Sequence, residues 1–206
     1  MARGPVGSAE EKPVMTVTEQ KSALRRQMQA ASKTISAEKR RADSQKLCAL
    51  LAARPFFQDA ASILFFAPLP GEIDIWPLLE KALAADKVAA LPCFDADDRV
   101  YRSRRVKNLH VEIVSGKFGI REPATSCIEM PLDQLGLVLV PGVAFDAQGN
   151  RLGRGKGFYD RLLKDFRGIK AAIAFDEQLT AEVPSEKNDV RMDYVVTPTR
   201  CVEIGR

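Results

Sequence analysis

The sequence predicts an α/β protein with three layers, in which helices pack on both faces of an open, mostly parallel sheet. Short apolar runs alternate with longer amphipathic segments along the chain, and strands that alternate with helices form parallel sheets. The run at 137–140 is apolar at every position, as in strands buried on both faces. With 206 residues, 46% of them hydrophobic, the chain suits one core. We predict a single domain over 16–206 after a disordered tail at 1–15, which is rich in Gly, Pro, Glu and Ala.

Two helices are predicted before the first strand. Thr16 and Glu19 have the spacing of a capping box, in which each side chain binds the other residue's backbone N–H. The first helix should therefore begin at this point. Ser36 should begin the second helix, and Pro55 should end it because proline interrupts helical hydrogen bonding.

A β-α-β unit follows. The apolar, aromatic-rich run at 62–67 reads as a buried strand that ends at a Pro-Leu-Pro-Gly loop. A helix containing Trp76 and Leu79 and a strand at 87–92 come next. The rest of the chain is predicted to contain strands at 135–140, 169–175 and 194–197, a helix at 158–166, short strands near 100–101 and 111–114, a polar turn at 95–98 and a turn-rich segment at 116–123.

Composition excludes several classes of protein. No apolar run is long enough for a membrane span, and residues 1–12 lack the apolar core of a signal peptide. The four cysteines include no C-x-x-C pair, which argues against zinc and a disulfide framework and favours a reducing cytoplasm. The net charge of +4 suits an anionic small molecule at least as well as nucleic acid. The single histidine, His110, is more typical of a strand or loop position than of a chemical role.

Glycines alternate with basic residues at 151–157, which we call the glycine-rich loop. Glycine lets backbone N–H groups turn inward at close range, and the basic side chains add positive charge, so phosphate is the expected ligand. A helix predicted to open at Phe158 would add the N-terminal amides that also favour phosphate. The spacing matches neither a Walker A motif nor G-x-G-x-x-G. A mobile, solvated basic loop is the alternative.

Acidic and basic residues elsewhere offer partners for such a ligand. Asp160 could hold Mg²⁺ beside phosphates or simply favour the first turn of its helix. Glu72 and Asp74 would face one side of an extended loop, although Asp74 could instead cap the Trp76 helix. Asp189 and Asp193 could add a metal oxygen or lie in a surface turn.

Lys21 and Arg25 are one helical turn apart, so their charges repel unless an anion lies between them. A solvated basic face is the alternative. Because ligands bind beyond the carboxyl ends of the strands in sheets of this kind, we expect the loops at 68–74, 116–123 and 151–157 to line a single cleft.

These residues together resemble the 5-formyltetrahydrofolate cyclo-ligase family, also called methenyltetrahydrofolate synthetases. The resemblance extends from about Thr18 to the C-terminus. It is carried by the following segments in order: Lys21-x-x-Leu24-Arg25, Gly-Glu-Ile-Asp at 71–74, Phe118-Gly-Ile-x-Glu-Pro123, the long segment at 141–160, and Asn188-Asp189.

The resemblance implies an ATP- and Mg²⁺-dependent ring closure of 5-formyltetrahydrofolate to 5,10-methenyltetrahydrofolate, with release of ADP and phosphate. Arg154 and Lys156 would be the catalytic residues, and Asp160 and Asp189 would hold magnesium. The implied ATP-binding residues are Lys21, Arg25, Arg151, Leu152, Gly153, Arg154, Gly155, Lys156, Gly157, Phe158 and Tyr159. The implied folate-binding residues are Arg25, Leu69, Glu72, Asp74, Phe118, Arg154 and Lys156.

Three positions depart from the family pattern. Phe158 stands where members commonly have Tyr, Ile75 where Thr is common, and Asn188 where a His often precedes the metal-binding aspartate. The basic core of the glycine-rich loop is unaffected. The expected partners are ATP and 5-formyltetrahydrofolate, with or without a polyglutamate tail, for a monomeric cytoplasmic protein that binds neither nucleic acid nor membrane.

Two other functions remain open from the residues alone. A nucleic-acid or protein interaction module could keep the fold and use the basic loop to bind backbone phosphates. Another ATP-dependent enzyme of small-molecule metabolism could use the same scaffold.

Overall fold

The structure, a computed structural model, describes residues 15–95, 101–116 and 119–205. The predictions for residues 1–14, for most of the turn at 95–98 and for Phe118 lie outside these ranges. The helices are α1 (Val17–Lys33), α2 (Ala37–Ala52), α3 (Pro55–Gln58), α4 (Trp76–Ala84), α5 (Leu109–Glu112) and α6 (Phe158–Leu163). The strands are β1 (Ser62–Leu64), β2 (Val88–Phe94), β3 (Tyr101–Val106), β4 (Ile113–Ser115), β5 (Arg121–Pro123), β6 (Leu137–Pro141), β7 (Ala144–Phe145), β8 (Arg151–Leu152), β9 (Ile169–Ile173), β10 (Tyr194–Val196) and β11 (Cys201–Glu203).

A seven-stranded sheet forms the centre, in the order β11-β10-β9-β6-β1-β2-β3. The strands from β10 to β2 in that order are parallel to their neighbours, and only the two edge strands, β11 and β3, pair antiparallel. The predicted open, mostly parallel sheet is confirmed. Two small hairpins, β4-β5 and β7-β8, lie outside this sheet.

The two faces of the sheet bury alternate residues, as the period of a strand requires. Ile63 packs in a core that contains residues of α2, α3 and α4. Leu64, the next residue, packs on the opposite face with Leu163 of α6. Helices therefore cover both faces, which confirms the three-layer prediction.

The predicted helix starts are also present. The Thr16 hydroxyl accepts from the Glu19 N–H at 3.3 Å, and the Glu19 carboxylate accepts from the Thr16 N–H at 2.8 Å. The Ser36 hydroxyl caps α2 by accepting from the Lys39 N–H at 3.2 Å. Helix α2 ends before Pro55, as predicted, and Pro55 itself lies in the first turn of the next helix, α3.

Some elements differ from the prediction. The segment expected to be a strand at 111–114 begins as the helical turn α5, whose cap is Asn108, and only Ile113 starts a strand. His110 therefore lies in a helical turn, not in a strand or loop. The strand at 194–197 is followed by β11, which was not predicted from the sequence. Within the described ranges no helix is both long and apolar enough to cross a bilayer.

Candidate active site

A cleft of ≈ 670 Å³ opens beyond the carboxyl ends of β1, β2 and β6. Phe66, just beyond β1, Pro92, near the end of β2, and Pro141, the last residue of β6, line its wall. The predicted site residues that line it are Lys21, Arg25, Leu69, Glu72, Arg151, Leu152, Gly153, Arg154, Gly155, Lys156, Gly157, Phe158, Tyr159, Asp160 and Asp189. The structure thus brings together segments far apart in the chain, at the place where α/β folds bind ligands.

The β7-β8 hairpin sets the start of the glycine-rich loop. Its connection folds around the carboxylate of Asp146, which is 1% exposed. One carboxylate oxygen accepts from the backbone N–H groups of Gln148 and Asn150 at 3.0 and 2.9 Å. The other accepts from the Asn150 side chain and from the Val183 N–H, both at 2.9 Å. One buried carboxylate therefore fixes the turn that leads into Arg151.

Two glycines then allow the path of the loop into α6. Gly155 has φ +92° and Gly157 has φ +60°. Residues with a Cβ rarely adopt such angles, so these positions favour glycine. The turn leaves Arg154 and Lys156 exposed on the cleft wall.

Helix α1 contacts this loop and the segment before β10. The Lys21 ammonium lies 2.8 Å from Glu186 and 2.6 Å from Asp189. Arg25 donates from Nε to the carbonyl oxygen of Gly153 at 2.9 Å. Lys21 is buried, so the alternative of a solvated basic face does not hold for it. Burial lowers the pKa of Lys21, but the hydrogen bonds with Asp189 and Glu186 outweigh this effect and leave the pKa raised.

Two further ion pairs lie among the residues that line the cleft. Arg151, whose side chain is 4% exposed, lies 2.8 Å from Asp160. Arg154 lies 2.7 Å from Glu72, and the second oxygen of Glu72 accepts from the Leu69 N–H at 2.9 Å. Each of these carboxylates thus holds a basic residue of the glycine-rich loop.

An aromatic wall, formed by Phe94, Tyr101, Phe158 and Tyr159, lies beside these charges. Ring centroids are 5.1 Å apart for Phe94 and Tyr101, 4.1 Å for Tyr101 and Phe158, and 4.7 Å for Phe158 and Tyr159. Burial, followed by the nearby Glu72 carboxylate, raises the pKa of the Tyr159 hydroxyl far above its usual value. Tyr159 therefore stays a neutral phenol, and the wall offers flat apolar surface to a ring.

Sequence reasoning missed several residues of the cleft. Tyr101 and Glu186 line it but were not predicted to do so. Ile120 and Glu122 also line it; they belong to the 116–123 loop that was expected at the cleft, but neither had an individual predicted role. Glu122 belongs to the Gly-Ile-x-Glu-Pro segment, which was the available signal. Tyr101 had none, because its position depends on its pairing with Phe94 between β2 and β3.

One predicted residue lies elsewhere, and one is outside the description. Asp74 is not among the described residues that line the cleft. Its carboxylate accepts from the Trp76 N–H at 3.0 Å at the start of α4, as the capping alternative proposed. Phe118 lies outside the described residues.

Known proteins resemble this chain over most of its length. Residues 17–198 match the model of the 5-formyltetrahydrofolate cyclo-ligase family. The chain belongs to this family. It is 34% identical over 151 residues to the 5-formyltetrahydrofolate cyclo-ligase of Escherichia coli, covering 70% of this chain and 81% of the bacterial protein. The mouse 5-formyltetrahydrofolate cyclo-ligase is 27% identical over 201 residues, covering 88% of this chain and 95% of the mouse protein.

A solved structure supports the same assignment. The NMR structure of Aquifex aeolicus 5,10-methenyltetrahydrofolate synthetase superposes with a TM-score of 0.81 at 33% identity, covering 90% of this chain and 94% of that chain. Fold and sequence thus agree on one family. As a member of the cyclo-ligase family, the protein is an enzyme, and the cleft is its candidate active site.

Proposed function

We propose that the enzyme converts 5-formyltetrahydrofolate to 5,10-methenyltetrahydrofolate and releases ADP and phosphate from ATP. The observation that carries the proposal is the convergence of α1, the glycine-rich loop and the Glu186–Asp189 turn on one cleft. Basic side chains and loop amides suit a triphosphate, and the aromatic wall suits a flat substrate. Family membership supplies the identity of that substrate.

The chemistry explains why ATP is needed. The formyl group on N5 is an amide, so its carbon is a poor electrophile and its oxygen a poor leaving group. Transfer of the γ-phosphoryl group to this oxygen makes an imidate phosphate. N10 then attacks the formyl carbon and loses its proton, the C–O bond breaks, and phosphate departs.

The residues of the cleft supply positioning and charge neutralisation, which account for most of the catalysis in phosphoryl transfer. Arg154 and Lys156, exposed on the cleft wall, would neutralise the transferred phosphoryl group near the formyl oxygen. Arg25 contacts the glycine-rich loop from α1, and Lys21 lines the cleft one helical turn earlier. Both would contact the ATP phosphates. ATP must compete with Glu72 for Arg154, since the two side chains are paired.

Magnesium fits the carboxylates of the cleft. Within the described ranges no group of three or more His, Cys, Asp and Glu side chains is arranged to hold a metal by itself. Mg²⁺ commonly takes only one or two carboxylates and completes its shell with phosphates and water. Asp160 and Asp189 both line the cleft and would hold it. The ion would neutralise phosphate charge during transfer.

We infer further that the enzyme works as a monomer in the cytoplasm, on 5-formyltetrahydrofolate with or without a polyglutamate tail, and does not bind nucleic acid. The cysteines Cys48, Cys93, Cys127 and Cys201 are all free thiols, which suits a reducing compartment.

The test mixes purified protein with 5-formyltetrahydrofolate and Mg-ATP and follows the absorbance of the methenyl product. We expect ATP-dependent product from the wild type. Arg154→Ala and Lys156→Ala should lower turnover at least a hundredfold, as removal of other transition-state donors does. Both side chains are exposed, so circular dichroism should be unchanged.

The matched controls are Lys164→Ala and Arg167→Ala, exposed basic residues just beyond α6 that do not line the cleft. They should keep wild-type turnover. Absence of ATP-dependent product from the wild type would overturn the proposed function. Near-normal turnover of Arg154→Ala or Lys156→Ala would remove that residue from the mechanism.

A further inference from the structure

Glu122 is a cleft carboxylate that the proposed mechanism does not use. It lies on β5 and lines the cleft together with Ile120, Pro92 and Tyr101. Its side chain passes over Gly116, where an added Cβ would come within 2.4 Å of the carboxyl carbon. Because Gly116 has no Cβ, the Glu122 side chain has room to lie beside the apolar residues of the cleft.

The hydrogen bonding of Glu122 differs from that of the other cleft carboxylates. Within the described part of the chain its one hydrogen bond comes from the Phe94 N–H, at 3.4 Å, which is long for an N–H donor. Glu72, Asp160 and Asp189 each hold a basic side chain at 2.6 to 2.8 Å. Burial raises the pKa of the Glu122 carboxyl, and the Phe94 N–H only partly opposes this. A carboxylate offers about four acceptor positions, so Glu122 has capacity for a ligand.

The aromatic wall extends from Glu122 to the part of the cleft that contains Glu72 and Arg154. Phe94, whose N–H binds Glu122, packs on Tyr101, and the wall continues through Phe158 to Tyr159. Tyr159 lies near Glu72, which pairs with Arg154. A flat molecule bound against the aromatic wall would thus have Arg154 near one end and the Glu122 carboxylate near the other.

We propose that Glu122 is a specificity-determining residue that accepts hydrogen bonds from the 2-amino group and the ring N3–H of the pterin. This inference rests on the proposed function. The pterin edge presents two adjacent N–H donors, which match the two oxygens of one carboxylate. The other end of the substrate carries glutamate carboxylates, and like charges would exclude it from Glu122. Pockets of this type use a few polar groups to fix the orientation of a ligand.

The experiment measures binding by isothermal titration calorimetry in the absence of ATP. The ligands are 5-formyltetrahydrofolate, a pterin without the aminobenzoyl tail, and p-aminobenzoylglutamate. Glu122→Ala should weaken the first two about ten- to a hundredfold, the effect of losing hydrogen bonds to a charged group. Binding of p-aminobenzoylglutamate should not change. Glu122→Gln, which keeps one acceptor oxygen, should lose less.

Glu80→Ala is the control, since Glu80 is exposed on α4 and does not line the cleft. Unchanged pterin binding in Glu122→Ala, or weakening of p-aminobenzoylglutamate alone, would overturn the inference. If circular dichroism shows that Glu122→Ala does not fold, Glu122→Gln is used in its place. The binding of the pterin and of p-aminobenzoylglutamate to that variant then tests the inference. A wild type that makes no methenyl product would overturn the proposed function, whereas an active wild type with insensitive Glu122 variants would overturn this inference alone.

Discussion

Replacement of Asp146 by alanine should destabilise the whole domain, although Asp146 does not line the cleft. Its buried carboxylate accepts four hydrogen bonds, two from the backbone of its own turn, one from the Asn150 side chain and one from the Val183 N–H. Alanine would remove both acceptor oxygens and with them all four hydrogen bonds. The turn donors can bind water instead, but the Val183 N–H is in a buried hydrogen bond and would lose its partner outright.

The magnitude follows from these four bonds. A hydrogen bond to a charged acceptor contributes about 1.5–3 kcal/mol, and an orphaned buried donor costs a similar amount. Since water restores some of the turn bonds, we expect a loss of about 3–5 kcal/mol, a large value for one substitution. For a domain of this size each kcal/mol lowers the melting temperature by about 2–4 °C, so Asp146→Ala should melt roughly 10 °C below the wild type.

The assay is thermal and urea unfolding followed by circular dichroism. Asp146→Asn should fall between the wild type and Asp146→Ala, because its amide keeps one acceptor oxygen but turns an N–H towards the Val183 N–H. Asp165→Ala, at an exposed position after α6, is the control and should melt like the wild type. A melting temperature for Asp146→Ala within about 2 °C of the wild type would refute the role of this carboxylate.

Three further predictions concern charged and reactive groups. Asp160→Asn should raise the Mg²⁺ concentration needed for half-maximal activity. It should also release Arg151, which is paired with Asp160 in the wild type. An unchanged Mg²⁺ dependence would remove Asp160 from the metal site. The pKa of Lys21 is raised from its ordinary 10.5, so the ion pair with Asp189 should stabilise the fold below that pH and lose its effect as pH rises through the higher folded value. The difference in unfolding free energy between wild type and Lys21→Met should therefore be constant from about pH 7 to 9.5 and shrink at higher pH, and a difference that grew with pH would contradict this. Burial, with a smaller effect of the Asp74 carboxylate, raises the pKa of the Cys48 thiol to about 11, so iodoacetamide at pH 8.5 should alkylate it much more slowly than a free thiol, and equal rates in a mass-spectrometric time course would argue against this.

The main architecture could be predicted because its signals are local. The capping box at Thr16, the cap at Ser36 and the continuous apolar run in β6 each lie within a few residues of sequence. The parallel sheet follows from the alternation of predicted strands and helices along the chain. By contrast, β11 is only three residues long and takes its structure from pairing with β10. Helix α5 is a single turn that begins at the cap residue Asn108. The apolar residues of this segment also suit a strand, so the local sequence is compatible with either structure.

The same distinction holds for the candidate active site. The glycine-rich loop was identified because its glycines and basic residues are adjacent in the sequence. The partners of those residues come from distant segments, such as Glu72 for Arg154, and no local pattern predicts them. The role of Asp146 depends on Val183, 37 residues away. The aromatic wall likewise requires the β2-β3 register that places Tyr101 opposite Phe94.

The most direct test of the proposed chemistry follows the formyl oxygen itself. 5-Formyltetrahydrofolate labelled with ¹⁸O in the formyl group is incubated with the enzyme and Mg-ATP in unlabelled water, and the released phosphate is analysed by mass spectrometry. If the γ-phosphoryl group is transferred to the formyl oxygen, each molecule of methenyl product should release one phosphate that carries the ¹⁸O. Unlabelled phosphate formed together with methenyl product would show that ATP activates the substrate in some other way and would contradict the mechanism.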